Sequence, residues 1–237
     1  MRLSAVETAE ALLPSALSQR LRPLAARADQ MFFGQGDEAR TQRSSLAAFA
    51  IRIASAVIAF ATQIVFARLM GIEDYGIFVL VWITMVIIGS LSCLGFQTAI
   101  IRCVPQYRET GNLEHLRGIL LTSRLAVLLA STVVAGLVIA LVLGARSWIE
   151  SYYVLPFIIG ALSLPMISLG DTLDGTARAH GWTVRALTPS YIVRPLLILV
   201  LMAMAYGRGY SIDALTGLVC AVLAAYLTTV GQFLMTA

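Results

Sequence analysis

Uncharged apolar runs of membrane-spanning length are the feature that most constrains this chain. The run at 125–143, LAVLLASTVVAGLVIALVL, holds no charge and no polar stripe at helical spacing. A helix needs about 20 such residues to cross about 30 Å of hydrocarbon. Transmembrane β-strands would alternate over about 10 residues, and these runs do not alternate. Only 13% of the residues are charged and the mean hydropathy is +0.84. We therefore predict an all-α integral membrane protein.

Six runs qualify as transmembrane helices, and a polar tail precedes them. The predicted spans are 46–67, 77–101, 125–143, 152–170, 187–206 and 214–233. The predicted domains are accordingly a cytoplasmic tail at 1–44 and a six-helix lobe at 45–237. The tail segment 15–33 mixes Arg with Leu, Ala and Phe, so it either lies on the inner membrane surface as an amphipathic segment or is disordered.

The arginines predict the orientation, because positive charge is retained in the cytoplasm. All 17 basic residues are Arg, and twelve of them fall in the tail and in the loops after the second and fourth spans. The other side of the membrane receives three, Arg68, Arg146 and Arg208. Both ends are thus predicted to be cytoplasmic. The net charge of +4 then reflects topology and contact with anionic inner-leaflet lipids, and no motif indicates nucleic acid.

Residues that carry catalysis or metal binding are sparse. The three cysteines are scattered without a CxxC pair, and His115 and His180 stand alone in loops. The sequence contains no Walker A motif and no GxSxG, and no nucleophile is paired with a base. We expect Cys93, Cys103 and Cys220 to be packing residues. We expect no enzyme activity, no cofactor and no metal site.

The first two spans are separated by only nine residues, RLMGIEDYG, at 68–76. Gly71 and Gly76 supply turn geometry that other residues resist. Glu73 and Asp74 come just before the second span, where acids suit the positive end of a helix dipole and can cap free N–H groups. Tyr75 is placed as an interfacial aromatic. The stretch is predicted to form a tight outer hairpin.

Several segments resemble polysaccharide flippases of the O-antigen and exopolysaccharide type, in the superfamily that includes the MATE multidrug exporters. ARLMGIEDYGIF resembles their first hairpin, AR-x-LG-x-x-x-YG, with Met70 in place of Leu. LGFQTAIIRCVPQY, GNLEHLRGILLTSRL, LDGTARAHGWTVRAL and YIVRPLLIL resemble later segments in the same order. The resemblance covers roughly residues 44–235, each motif being weak alone.

The resemblance implies a MATE-like transporter with two six-helix lobes around a central cavity. Such proteins move undecaprenyl-diphosphate-linked oligosaccharide to the periplasmic leaflet by alternating access. This chain departs from the family in having six spans, where twelve or more are expected, and about forty residues before the first. We expect it to be the N-terminal lobe alone. A second lobe, in a missing C-terminal half or in another chain, would complete the cavity.

Two arginines interrupt the spans and are the candidate substrate-binding residues. A charge within the bilayer is costly and usually faces a cavity or a partner. Arg52 and Arg194 could bind diphosphate or acidic sugars through the guanidinium fork. Both could instead snorkel to the inner headgroups, and this second interpretation is favoured for Arg52. Arg194 lies deeper and precedes Pro195, which is expected to kink the helix.

Other polar residues of the spans are expected to be structural. Asp171 and Asp174 end the fourth span and are expected to pair with Arg178 or Arg185. Gln63 is expected to make a helix–helix hydrogen bond.

Small residues and prolines predict how the helices pack. Gly136, Ala140 and Gly144 in the third span, and Gly217, Ala221 and Ala225 in the sixth, are predicted to form close helix contacts. Pro156 and Pro165 predict a bend in the fourth span.

Other functions stay open on sequence grounds. A drug or cation exporter of the same superfamily would use acidic residues in its cavity, and mid-span Asp or Glu is absent from the predicted spans. A polysaccharide glycosyltransferase or ligase would need a large periplasmic loop, and the predicted outer loops are short. A non-transporting subunit of polysaccharide assembly is the remaining alternative.

Overall fold

The computed structural model describes residues 37–236, with side chains from residue 45 onward. The chain divides into two compact units, residues 1–50 and 51–237, and the second unit holds the packed helices. The tail segment predicted to be amphipathic, 15–33, lies outside the described residues, and the domain boundary at 44/45 stays a prediction. The helices are α1 Asp37–Ser92, α2 Phe96–Glu109, α3 Leu113–Gly144, α4 Ser151–Ala161, α5 Leu164–Ala179, α6 Thr183–Thr188, α7 Arg194–Gly207 and α8 Ala214–Thr236, with a π-helical turn at Pro189–Val193.

Five stretches of helix are long and apolar enough to cross a membrane, and residues 37–236 contain no β-strand. They are Ser45–Ser92, Leu113–Gly144, Ser151–Ala179, Thr183–Gly207 and Ala214–Thr236. The first is 48 residues long, enough for two crossings at 1.5 Å per residue. The prediction of an all-α, multi-pass membrane protein is confirmed.

Helix α1 turns back on itself at Gly71, as the hairpin prediction required. Gly71 has φ 80° and ψ 172°, a conformation that suits glycine. The rings of Phe66 and Phe78 meet edge to face with centroids 5.6 Å apart. Twelve residues of straight helix would separate them by about 18 Å. The two halves of α1 are therefore the first and second predicted spans, whereas Gly76 is an ordinary helical residue.

The second span ends earlier than predicted. Helix α1 stops at Ser92, and Leu94 and Gly95 both have positive φ, 49° and 78°. The chain then restarts as α2, which carries residues 96–101 of the predicted span. A left-handed Leu is rare because of its Cβ, and the apolar sequence LSCLGF gave no polar sign of a break.

Pro165 and Pro195 lie next to observed helix breaks, as predicted, whereas Pro156 lies inside α4. The fourth span divides into α4 and α5 at residues 162–163, and Pro165 lies at the start of α5. In the fifth span the Arg194 N–H donates to the carbonyl of Pro189, a five-residue step that marks a π-helical turn. Pro195 follows in the first turn of α7, where its missing N–H costs least.

Helix α5 occupies the centre of the second unit and packs against α2, α3 and α8. Most of its residues from 167 to 177 are buried.

Glycines in α4 and α8 allow these helices to approach α1 closely. A Cβ at Gly160 would lie 2.6 Å from Val81 Cγ1, and one at Gly217 would lie 2.8 Å from Met70 Cε. The predicted close face of the sixth span is thereby confirmed for Gly217, and Ala221 and Ala225 are buried with it.

The corresponding prediction for the third span was wrong. Gly136, Ala140 and Gly144 are exposed, and a Cβ at either glycine would have no atom of the described chain within 4 Å. Helix α3 instead buries Ser123, Val127, Ser131, Ala135 and Val142. Small residues permit close approach, but they do not determine which face of a helix meets a neighbour.

Adding a methyl group at Gly175 is expected to destabilise the fold, whereas adding one at Gly136 is not. A Cβ at Gly175 would lie 2.7 Å from the carbonyl oxygen of Gln97, a backbone atom of α2 that cannot rotate away. We expect Gly175→Ala to cost about 1–3 kcal/mol through overpacking. Gly136→Ala should be neutral or stabilising by up to about 1 kcal/mol, because alanine is the better helix former. Thermal unfolding in detergent measures both, and equal melting temperatures would contradict the packing described.

Two aspartates cap the N-terminus of α8. Asp213 Oδ1 accepts a hydrogen bond from the Thr216 N–H at 2.8 Å, and Asp74 Oδ1 accepts one from the Ala214 N–H at 3.2 Å. Asp74 thus lies at the start of the second span, as the sequence predicted, but its side chain caps a different helix, α8. The hairpin and the last helix are joined at this end of the bundle.

The cap at Asp213 is expected to weaken in acid. Partial burial acts to raise the pKa of Asp213, but hydrogen bonds from Thr216 and Ser211 outweigh it and hold the pKa below its ordinary 3.8. The stabilisation is therefore fully present above about pH 4 and lost as the pH falls through the lowered pKa. We expect Asp213→Ala to cost about 1 kcal/mol at pH 7 and less below pH 4, measured by thermal unfolding.

Glu150 offers a matched control for this cap. It occupies the N-cap of α4 without a side-chain hydrogen bond to the helix. Glu150→Ala should change the melting temperature little at either pH. A loss as large as that of Asp213→Ala would show that helix-end charge, and not the hydrogen bond, is what stabilises.

Candidate functional site

A cavity of about 300 Å³ opens between the two halves of α1 and the π-helical turn with the start of α7. Its lining is largely apolar and aromatic, with a few polar side chains. It is lined by Ala59, Thr62, Gln63, Phe66, Tyr75, Phe78, Val79, Trp82, Ile83, Val86, Ser190, Arg194, Pro195 and Ile198. A concave, mainly apolar pocket with few polar groups is the usual form of a small-molecule site.

Arg194, one of the two candidate substrate-binding residues, lies at the wall of this cavity. Its Nε donates to Thr228 Oγ1 over a long 3.5 Å. Its Nη2 is buried and has no hydrogen-bond partner among the described residues. A buried donor on a charged group is costly to leave unpaired. Asp171 and Asp174 lie within electrostatic range of the guanidinium and offset part of its charge, so only the part of the side chain that lines the cavity is open to an anionic group.

Arg52, the second candidate, is not part of the cavity. Its side chain is exposed, and its guanidinium carbon lies 5.6 Å from the centroid of the Tyr191 ring. The cavity lining of α1 begins only at Ala59, two turns further along. The structure thus separates the two arginines, and a cation–π contact at the helix surface accounts for the position of Arg52.

A buried polar cluster lies next to the cavity, with Asp174 at its centre. Asp174 is only 2% exposed. Its Oδ1 accepts from Gln232 Nε2 of α8 at 2.5 Å, and its Oδ2 accepts from Ser190 Oγ at 3.1 Å. Because Ser190 also lines the cavity, the cluster and the cavity share a wall. Gln232 was not predicted from the sequence, since a lone Gln near the end of a span gives no signal.

Asp171 lies one turn before Asp174 on α5 and contacts the C-terminal end of the second span. Its Oδ2 accepts from Ser90 Oγ at 3.1 Å, and Cys93 Sγ lies 4.0 Å from the same oxygen. Ser168 Oγ on the same helix donates to the Gly89 carbonyl at 2.8 Å. The contact between α5 and the end of α1 is therefore polar.

The expected ion pair between Asp174 and Arg178 is present, whereas the pairing expected for Arg185 is replaced by another contact. Arg178 Nη2 lies 4.0 Å from Asp174 Oδ2, at the limit of an ion pair. Arg185 stacks over Trp182 instead, with its guanidinium carbon 5.2 Å from the ring centroid. Burial explains the difference, because Asp174 faces α8 and the π-helical turn more than the loop.

Gln63 does not make the helix–helix hydrogen bond that was expected from the sequence. The side chain is exposed and lines the cavity, and it makes no hydrogen bond to any other residue that the structure describes. It therefore does not hold two helices together. In the same described part no cluster of three or more His, Cys, Asp or Glu side chains could hold a metal ion.

The architecture defines a multi-pass helical membrane protein with a small, partly polar cavity inside one bundle. A family model described as polysaccharide biosynthesis protein matches residues 42–235, most of the chain. The chain therefore belongs to that family, and the resemblance noted in the sequence is confirmed. The comparison with curated proteins gives no match, and neither does the comparison with solved structures.

Proposed function

We propose that this helical bundle is one lobe of a flippase that moves undecaprenyl-diphosphate-linked oligosaccharide across the bacterial inner membrane. Membership of the polysaccharide biosynthesis family supports a role in handling lipid-linked sugars. Alternating access requires helices that can bend, and two spans contain breaks, at residues 162–163 and at the π-helical turn. Such breaks at the membrane midplane are common at transporter sites.

The observation that carries the proposal is Arg194. Its side chain lines the cavity within a membrane span, and its Nη2 has no hydrogen-bond partner among the described residues. A diphosphate offers acceptor oxygens that match the guanidinium fork. The site can thus recognise the one group that all undecaprenyl-diphosphate-linked substrates share. No catalytic step is needed, and we propose a transporter rather than an enzyme.

Orientation and partner belong to the same proposal. With twelve arginines on one side and three on the other, both ends of the six-span bundle face the cytoplasm. We further propose that a second six-helix lobe completes the translocation path. Gln63 lines the cavity and is exposed, so the cavity is open to the surface of the bundle on that side. Anionic inner-leaflet lipids would contact the cytoplasmic arginines.

Asp171 and Asp174 favour a second candidate, a multidrug or cation exporter lobe of the same superfamily. Both lie within the Ser151–Ala179 span, and Asp174 is buried. A carboxylate there could hold a cationic substrate. Asp174 is nevertheless enclosed by Gln232 and Ser190, whereas the arginine is the charged side chain at the cavity wall, so the anionic substrate is the better fit. A non-transporting subunit of polysaccharide assembly would need neither group.

Export in cells tests the proposal. A flippase-null strain expressing the chain together with a second lobe should display surface polysaccharide and stop accumulating its lipid-linked precursor. Expression of the second lobe alone is the control. Resistance to cationic drugs without any change in surface polysaccharide would support the exporter instead, and no effect in either assay would support a non-transporting subunit.

A further inference from the structure

Three polar side chains of the cavity lining make no hydrogen bond to any residue from 45 to 236. They are Gln63, Tyr75 and Trp82, and none of their side-chain donors or acceptors has a partner among residues 45–236. Gln63 and Tyr75 lie in opposite halves of α1, and Trp82 lies two turns beyond Tyr75. The cavity therefore concentrates open hydrogen-bonding capacity between aromatic walls.

Other polar side chains in the same helix are satisfied. Thr62 donates to the Ile58 carbonyl at 2.7 Å, and Thr84 donates to the Leu80 carbonyl at 2.7 Å. Ser92 binds the Ile88 carbonyl in the same way. Polar groups in a membrane span normally find such partners because lipid offers none. Among the uncharged polar side chains of α1 from residue 45 onward, the three unpaired ones at the cavity are therefore the exception.

We propose that the cavity binds the sugar ring attached directly to the diphosphate, with Gln63, Tyr75 and Trp82 as its specificity-determining contacts. A sugar ring has C–H faces, which suit the negative face of an aromatic ring, and a rim of hydroxyl groups. An amide both donates and accepts, a phenol does the same, and an indole donates. The three side chains thus match both parts of a sugar.

The volume and the position of Arg194 limit what can occupy the cavity. About 300 Å³ is at the small end of ligand pockets, suited to one ring with a neighbouring phosphate and not to an oligosaccharide. Arg194 and Ser190 lie on the wall toward the π-helical turn and would take the phosphate. An isoprenoid chain would leave the amide, the phenol and the indole unpaired, which costs binding free energy.

Binding of two lipids to the purified full chain, measured by native mass spectrometry, tests this inference, which rests on the proposed function. The probes are the lipid-linked glycan extracted from the source cells and bare undecaprenyl diphosphate. We expect the wild-type chain to bind the glycan-bearing lipid about tenfold more tightly. Gln63→Leu and Tyr75→Phe should each reduce that preference severalfold while binding to the bare lipid stays unchanged.

Thr84→Val is the matched control, because its hydroxyl group is bound to the backbone and lies outside the cavity lining. It should keep the full preference, and unchanged binding of the bare lipid shows that each variant is folded. Equal binding of the two lipids by the wild-type chain would overturn the sugar site while leaving the flippase proposal intact. Tighter binding of both lipids by Gln63→Leu would also overturn it, by showing that the isoprenoid chain occupies the cavity. Failure to bind either lipid would overturn both proposals.

Discussion

Arg194→Ala is expected to reduce export of the lipid-linked oligosaccharide about a hundredfold. The variant removes the charged donor at the cavity wall, and a hydrogen bond to a charged group contributes about 1.5–3 kcal/mol. Because each 1.4 kcal/mol changes an equilibrium constant about tenfold, the upper end of this range corresponds to a loss of about a hundredfold. Thermal unfolding in detergent is measured for the same variant, because Arg194 contacts Thr228 and lies within electrostatic range of Asp171 and Asp174, so its removal also affects stability. Surface polysaccharide per cell, normalised to the amount of protein in the membrane, measures the effect.

Lysine at the same position separates charge from shape. Arg194→Lys should retain part of the export, because an ammonium group supplies charge without the planar fork that binds two oxygens. Arg208→Ala is the matched control, since Arg208 caps the far end of the same helix and is exposed. If alanine and lysine both export at the normal rate, Arg194 is a membrane anchor and the proposed substrate site is wrong.

A neighbouring glycine tests the position of the guanidinium without removing it. A Cβ at Gly170 would lie 3.2 Å from Arg194 Nη2 and 3.2 Å from Thr229 Oγ1. These contacts are tight, so Gly170→Ala should displace the guanidinium group by a few tenths of an ångström. A partial loss of export with unchanged protein level would show that its placement matters as well as its charge.

The sequence was sufficient for features that depend on local chemistry. The length of the apolar runs identified the membrane spans. Gly71 in RLMGIEDYG located the hairpin, because the chain reverses there with a φ of 80° that suits glycine. Pro165 located the break in the fourth span, whereas Pro156 lies inside α4. Arg194 was selected as a candidate for the same reason, since a charge within an apolar run usually has a partner or a cavity, and its role in substrate binding stays a prediction.

Features that depend on which faces meet could not be read from one sequence. The contact between Asp174 and Gln232 joins residues 58 positions apart, and neither has a spacing that indicates the other. The exposed face of α3 at Gly136 is an example of the opposite error. Its small residues predicted a helix contact that the fold does not make. The break after Ser92 was missed because a left-handed Leu leaves no mark in the sequence.

Asp174→Ala is expected to destabilise the bundle by about 2–4 kcal/mol. Asp174 is the acceptor for both Gln232 Nε2 and Ser190 Oγ, so its loss leaves two donors unpaired at about 1–3 kcal/mol each. Asp174→Asn should cost less, because its Oδ1 still accepts from Gln232 and the Ser190 hydroxyl group can rotate to accept from its amide. Thermal unfolding in detergent measures the difference between the two variants.

A double-mutant cycle tests whether the Asp174–Gln232 contact is responsible. Gln232→Leu alone should be destabilising, because Asp174 loses its shortest hydrogen bond, whereas Asp174→Ala combined with Gln232→Leu should cost less than the sum of the two single variants. The reason is that the double variant leaves no unpaired amide beside the apolar residues of α8. Strict additivity would mean that the two side chains are not coupled, and α5 and α8 would then be held together by their other contacts, among them the hydrogen bond that Thr229 Oγ1 donates to the Met166 carbonyl at 3.0 Å.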